Sequence, residues 1–136
     1  MRVLLRDEVG LGERAARELR RACLRALRKE GARRDAVLSV LLLDEGEMAS
    51  LNRRFTGGEG ATDVLAFPMN ELSAEGFLLG DLALCPLYVA AFREDYGVKE
   101  GRELEFVAVH GVLHLLGYRD EDEEGAARMD ERQRYI

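Results

Sequence analysis

Long apolar segments are missing from this chain of 136 residues, and their absence argues against a membrane-spanning helix. No stretch approaches the roughly 18 continuous apolar residues that would cross a bilayer. The first seven residues also lack the apolar core of a secretory signal peptide. We therefore expect a cytoplasmic protein with no membrane partner.

Cysteine is scarce as well, and its placement excludes two kinds of site. Cys23 and Cys85 stand far apart and form no Cys-x-x-Cys motif. Neither a redox pair nor a thiolate zinc site is therefore predicted. Both cysteines are expected to be reduced and buried as small hydrophobic residues.

Basic residues are fewer than acidic ones: the chain has 20 Lys and Arg and 26 Asp and Glu, which gives a net charge of −6. This balance argues against a protein that coats nucleic acid through its overall charge, and we expect no DNA partner. The basic residues are nevertheless concentrated, since residues 1–34 hold eleven Lys and Arg against five Asp and Glu. A basic amino-terminal part thus precedes an acidic body.

Apolar residues make up 47% of the chain, which is enough for the core of one ordinary domain spanning residues 1–136. Hydrophobic periodicity predicts strands at 3–5, 36–43, 63–68 and 78–85, and helices at 13–30, 45–54, 86–96, 102–116 and 121–134. This alternation predicts an α+β fold, a layered α/β domain in which helices flank a small mixed sheet of about four strands.

Two details of the sheet follow from local sequence. The continuous apolar run 36–43 fits a central strand that is covered on both sides. Pro68 is expected to close the strand 63–68, and a polar connection of about nine residues then leads to 78–85. These last two strands could pair antiparallel.

A pair of histidines gives the strongest chemical signal. His110 and His114 are the only histidines in the chain, and a spacing of four places both on one face of a helix, within reach of one ion at about 2.0–2.1 Å. Their helix is apolar nearly all round, so it should be central and buried. Gly117 can end this helix and reverse the chain, so that Asp120 comes back to the side of the two histidines and can serve as a third ligand. We therefore predict one divalent metal ion, with zinc expected.

Structural roles could also explain these residues. Two histidines on a buried helix could simply be hydrogen-bonded core residues. Asp120 stands three residues before Glu123, which is the pattern of a helix capping box, although one carboxylate could cap and ligate together. No general base is evident, so no further catalytic residue is predicted.

Arginines form a stripe along the first predicted helix, opposite its apolar face. Its members recur at steps of three and four: Arg14, Arg17, Arg21, Arg25 and Arg28. Such a stripe could follow RNA phosphates. A solvated helix face interspersed with Glu13 and Glu18 is the alternative interpretation.

The segment 110–120, His-Gly-Val-Leu-His-Leu-Leu-Gly-Tyr-Arg-Asp, resembles the signature of the YbeY family of bacterial rRNA maturation factors. That signature reads His-Gly-x-Leu-His-Leu-x-Gly-Tyr-Asp-His and precedes an acidic helix. Leu51-Asn52, the block 62–68 and the segment 79–84 are similar to further family motifs. Together with Glu103-Leu104 and Met129, the resemblance runs from about residue 37 to the end.

The resemblance implies a single-strand-specific, zinc-dependent endoribonuclease. Such an enzyme would act in maturation of the 3′ end of 16S rRNA and in ribosome quality control, with ribosomal RNA and the small ribosomal subunit as partners. It also implies a small mixed sheet flanked by helices.

Three departures from the family pattern affect the chemistry. The family's third histidine falls at Asp120, so the ion would be a weaker Lewis acid and its preference could move toward harder ions such as manganese. The family's functional arginine falls at Thr56, so Arg53 or Arg54 would have to hold phosphate instead. Two family serines fall at Ala66 and Cys85, which removes two hydroxyl groups.

Two other functions compete with the nuclease. A ribosome-assembly protein could bind rRNA and use the metal mainly for structure, with weak or no nuclease activity, and the changes at Thr56 and Asp120 favour it. A zinc peptidase is less well supported, because Gly111 stands where such an enzyme carries the glutamate that activates water.

Overall fold

The computed structural model describes residues 1–136 and contains one four-stranded sheet. The strands lie in the order β1-β2-β4-β3, with β2 parallel to β1 and β4, and β3 antiparallel to β4. Their bounds are β1 (Arg2–Asp7), β2 (Ala36–Leu42), β3 (Val64–Ser73) and β4 (Gly76–Leu84). The predicted small mixed sheet and the antiparallel pairing of its last two strands are confirmed.

Five α-helices accompany the sheet, so the α+β class is also confirmed. Their bounds are α1 (Glu13–Lys29), α2 (Glu45–Thr56), α3 (Pro86–Ala91), α4 (Glu103–Leu115) and α5 (Glu123–Tyr135). The continuous helix predicted over 86–96 was wrong, because Phe92 leaves helical geometry and a separate 3₁₀ turn follows. In that turn Tyr96 points inward and donates a hydrogen bond of 3.1 Å to Asp63.

Helices α1 and α4 cover one face of the sheet and form the main core. Side chains of alternate β2 residues, Leu38, Val40 and Leu42, are fully buried against them, as the period of a strand requires. Helix α4 is enclosed along most of its length by Val107, Val112 and other core residues. The helix that carries both histidines is therefore central, as its composition predicted.

The opposite face of the sheet is covered only in part. Helix α2 packs Met48 and Leu51 over that face, but Ser39 and Leu41 of β2 remain half-buried. A cleft of about 630 Å³ lies there, bordered by the exposed side chains of Leu4 and Phe55. The prediction that this central strand is covered on both sides was therefore correct for only one face.

Strand β3 passes through Pro68 instead of ending there, which corrects a second prediction. Because β3 is an edge strand, a residue without an N–H group is tolerated within it. The register with β4 shifts between Pro68 and Glu71, and Asn70 adopts a left-handed φ of 53° within this irregularity. The expected nine-residue connection is thus a short turn between Ser73 and Gly76.

Gly111 lets α4 lie close to the sheet. A Cβ atom at this position would stand 2.8 Å from Leu82 Cδ2 and 3.1 Å from Val64 Cγ2, which is closer than ordinary contact. A larger residue would force Leu82 and Val64 to shift or the helix to move outward. The glycine therefore fixes how near the neighbouring His110 comes to β3.

Both cysteines are buried and unpaired, as predicted. Burial raises the pKa of the Cys23 thiol to about 12, so it stays protonated and unreactive at neutral pH. None of the helices is both long enough and apolar enough to cross a bilayer.

Candidate metal centre

Helix α4 presents both histidines on one face, at the edge of the core. Their Nε2 atoms lie 3.0 Å apart and the two rings meet edge to face. The side chains of His110 and His114 are 30% and 31% exposed, so both are held by packing and still reachable from solvent. The core side of α4 is thus apolar, while these two nitrogens are available for a ligand.

The turn after α4 brings Asp120 back to the histidines. Gly117 has a φ of 102°, and its N–H donates to the His114 carbonyl at 3.0 Å while the N–H of Tyr118 donates to Leu113 at the same distance. This pair of bonds is a Schellman motif, which ends a helix and reverses the chain. The glycine turn predicted from sequence is present.

Three donor atoms converge at this point. Asp120 Oδ2 lies 3.4 Å from His110 Nε2 and 3.6 Å from His114 Nε2, so with the 3.0 Å between the nitrogens they form a compact triangle. Ligands held tetrahedrally at about 2.0–2.1 Å from an ion are about 3.3 Å apart. The triangle therefore fits three corners of such a site, and its two imidazoles and one carboxylate suit zinc or manganese.

Asp120 is not the cap of the following helix. The amino-terminal cap of α5 is Asp122, whose side chain accepts a 2.6 Å hydrogen bond from the N–H of Gly125. The alternative interpretation, in which Asp120 caps this helix in a capping box with Glu123, was therefore wrong, because the cap lies two residues later. The Asp120 carboxylate, 41% exposed, faces the histidines instead.

Gln133 of α5 also reaches the histidine pair, and it was missed in the sequence. Its Oε1 lies 3.2 Å from His110 Nδ1, and its Nε2 donates to the backbone carbonyl of Phe106 at 3.0 Å. The sequence did contain a signal for this contact. Met129 is the one long apolar residue that α5 buries, and Gln133, four residues later, lies on the same face of the helix.

A buried carboxylate holds the loop that carries Asp120. Glu30, at the end of α1, accepts hydrogen bonds from the Tyr118 hydroxyl at 2.5 Å and from Arg132 Nε at 2.8 Å. Its side chain is only 5% exposed. The hydrogen bond to Glu30 raises the pKa of Tyr118, which therefore remains a donor. One residue thus ties the glycine turn and α5 to the first helix.

A groove of about 390 Å³ lies between α4 and the edge strand β3, and both histidines line it. The other lining residues are Asp63, Val64, Leu65, Ala66, Pro68, Gly111 and Leu115. Asp63 accepts hydrogen bonds from Tyr96 and from the N–H of Val64, so it is engaged in structure. Burial and this carboxylate raise the pKa of Tyr96, which keeps its hydroxyl proton.

The predicted arginine stripe on α1 is exposed along its whole length, at Arg14, Arg17, Arg21, Arg25 and Arg28. Arg14 lies 3.5 Å from Glu18 and so forms an ion pair with it. Arg25 lines a small cavity together with Phe106 and Gln133, and neither histidine lines that cavity.

The two arginines of α2 do not lie near the histidine pair. Arg53 and Arg54 are exposed and do not line the groove. Helix α2 lies on the other face of the sheet from α4. Thr56 instead shapes the following loop, because its hydroxyl donates to Asn52 and accepts from the N–H of Gly58.

Comparison with known proteins gives a consistent result. The protein named Endoribonuclease YbeY of Salinispora tropica is 49% identical over 105 residues, 68% of this chain and 67% of that protein. The protein of the same name from Acidothermus cellulolyticus is 47% identical over 104 residues, 68% of this chain and 63% of that protein. The chain therefore matches about two thirds of the length of these curated relatives.

A solved structure agrees with the fold. The solution structure of TM1509 from Thermotoga maritima superposes with a TM-score of 0.65 at 28% identity, covering 98% of this chain and 85% of that one. The family model described as Endoribonuclease YbeY matches residues 5–136. Since that match includes nearly the whole chain, the protein belongs to the endoribonuclease YbeY family.

Proposed function

We propose that residues 1–136 form one domain that acts as a metal-dependent endoribonuclease specific for single-stranded RNA. Its substrate would be the 3′ end of 16S rRNA, and its role ribosome maturation and quality control. The observation that carries this proposal is the convergence of His110, His114 and Asp120 beside an open groove, in a chain of this family. The partners would be ribosomal RNA and the small ribosomal subunit, in the cytoplasm.

The three donors would hold one divalent ion, with zinc expected. When bound, such an ion supplies Lewis acidity toward a phosphoryl oxygen and lowers the pKa of a bound water. The protein holds the donors on a rigid helix and a fixed turn, and it leaves them partly exposed for substrate. Asp63, the one carboxylate among the groove-lining residues, accepts hydrogen bonds from Tyr96 and Val64, so no carboxylate that lines the groove is without a structural hydrogen bond.

The size of the groove supports selection of single strands. At about 390 Å³ it is comparable with a pocket for one small ligand and can admit one nucleotide at a time. A duplex would need a much wider surface, because its bases stay paired and stacked inside the helix. An unpaired strand can instead place one phosphate beside the histidines.

Chelation tests the proposed function directly. We expect purified protein to cleave a single-stranded RNA containing the 16S 3′ end, and to lose at least about 100-fold in rate after metal removal, since a catalytic ion contributes several kcal/mol. Added zinc or manganese should restore the rate. The same RNA annealed to its complement is the matched control and should resist cleavage. Unchanged cleavage after verified metal removal would contradict a metal-dependent mechanism.

The arginine stripe of α1 provides the phosphate contacts in this proposal. Each single-strand phosphate contact contributes about 0.7 to the slope of log binding constant against log salt. Replacing Arg17 and Arg21 by alanine should therefore lower that slope by about 1.4 for single-stranded RNA. Arg128 and Arg134, exposed on α5, provide a control pair of equal charge. An unchanged slope would show that the stripe is only a solvated helix face.

A second candidate function is an rRNA-binding assembly protein whose metal is structural. It is favoured by the absence of Lys and Arg among the groove-lining residues, since Arg53 and Arg54 lie on another face. Sequence-dependent RNA binding without cleavage by metal-loaded protein would support it. Peptidase chemistry is disfavoured further, because a Cβ atom at Gly111 would already stand 2.8 Å from Leu82 Cδ2, so a glutamate there would require neighbouring side chains to move.

A further inference from the structure

We propose that Gln133 is a positioning residue of the metal centre, holding His110 in the tautomer whose Nε2 lone pair faces the ion. This inference rests on the proposed metal site. Gln133 lies on α5, near the end of the chain, whereas His110 lies on α4. Two hydrogen bonds connect the two helices at this residue.

The orientation of the Gln133 amide follows from its partners. Its Nε2 lies 3.0 Å from the carbonyl oxygen of Phe106, which can only accept a hydrogen bond. The NH₂ group must therefore face Phe106, and Oε1 must face His110. Because Oε1 is itself only an acceptor, His110 Nδ1, at 3.2 Å, must carry the proton.

This proton placement determines the other ring nitrogen. In a neutral imidazole with hydrogen on Nδ1, Nε2 carries the lone pair. That atom lies 3.0 Å from His114 Nε2 and 3.4 Å from Asp120 Oδ2, at the centre of the donor triangle. The bond to Gln133 also fixes the rotation of the ring. Metal-ligating histidines commonly require such a partner on the remote nitrogen.

Helix docking alone does not require an amide at this position. Helix α5 is already anchored by buried Met129 and by the bond from Arg132 to Glu30. A methionine of similar length could fill the same half-buried space between α4 and α5. The polar ends of Gln133 therefore point to a role in the orientation of His110.

The test compares Gln133→Met with Gln133→Glu, using Arg134→Met as a control on the same helix. Nitrogen-15 NMR of metal-free protein, at a pH above the histidine titration range, reports the tautomer. Wild-type His110 should carry its proton on Nδ1, and Gln133→Met should allow the Nε2–H form. Zinc affinity, measured by competition with a chromophoric chelator, should fall about 10- to 100-fold in Gln133→Met.

The control variants define the opposite results. Gln133→Glu keeps an acceptor for Nδ1, so it should retain the wild-type tautomer and most of the zinc affinity, and Arg134→Met should change neither. An Nε2–H tautomer in wild-type His110, or an unchanged tautomer and affinity in Gln133→Met, would overturn the role of Gln133. Failure of wild-type protein to bind zinc would instead overturn the metal site, since the tautomer is read without metal.

Discussion

Replacing His114 by alanine should abolish stoichiometric zinc binding and reduce the cleavage of single-stranded RNA by at least about 100-fold, as complete metal removal does. The expected size reflects the several kcal/mol that a catalytic ion contributes, at 1.36 kcal/mol for each factor of ten. Only two donors of the triangle would remain, and the lost nitrogen lies 3.0 Å from its partner on His110. Metal analysis of the purified protein and a gel assay with labelled RNA measure both effects.

A loss of folding would imitate this result, so a control on the same helix end is needed. Leu116→Ala removes apolar contact beside the site without removing a donor, since Leu116 is half-buried and follows α4 directly. This variant should be less stable yet retain zinc and cleavage below its melting temperature. Cleavage at the wild-type rate by folded His114→Ala protein would refute the assignment of the metal centre.

Asp120→Ala should weaken zinc binding by at least about 100-fold, which is the upper end of the loss expected for residues that only support a ligand. The reason is geometric, because Asp120 Oδ2 is the third corner of the triangle, 3.4 and 3.6 Å from the two nitrogens. Asp120→His should instead strengthen zinc binding relative to manganese, since imidazole is a softer ligand than carboxylate. Titration of metal-free protein with both ions measures these changes.

Asp122 provides a matched control two residues away. Asp122→Ala removes the hydrogen bond to the Gly125 N–H and should cost about 1 kcal/mol in the free energy of unfolding, as the loss of a helix cap does. Its zinc affinity should stay close to that of the wild type. If instead Asp120→Ala destabilises the metal-free protein and leaves zinc affinity unchanged, Asp120 has a structural role only.

Much of the fold was accessible from sequence because its signals are local. The apolar run in β2 and the apolar helix α4 predicted buried elements, and both form the core. The extension of β3 beyond Pro68 was not accessible in this way. A proline normally ends a strand, and the edge position of β3 together with the irregularity that begins at Pro68 makes it tolerable, both being properties of the whole sheet.

The candidate site shows the same division. The spacing of His110 and His114 fixes their common helix face, so sequence alone brings these two together. The cap at Asp122 depends on where α5 starts, and helix boundaries are weakly encoded. Gln133 and Glu30 reach the site through contacts between distant helices, which no local pattern specifies.

Helix α5 has few buried contacts, and this affects the dynamics of the metal centre. This helix buries only Gly125 and Met129, and its remaining contacts are largely polar. Segments held in this way open locally far more often than the core does. Each such opening would remove Gln133 from His110 and Arg132 from Glu30, while the bond from Tyr118 to Glu30 would still hold the Asp120 loop. An ion that binds the closed form more tightly, because Gln133 then holds His110, would favour that form by mass action, so metal occupancy would make opening of α5 rarer.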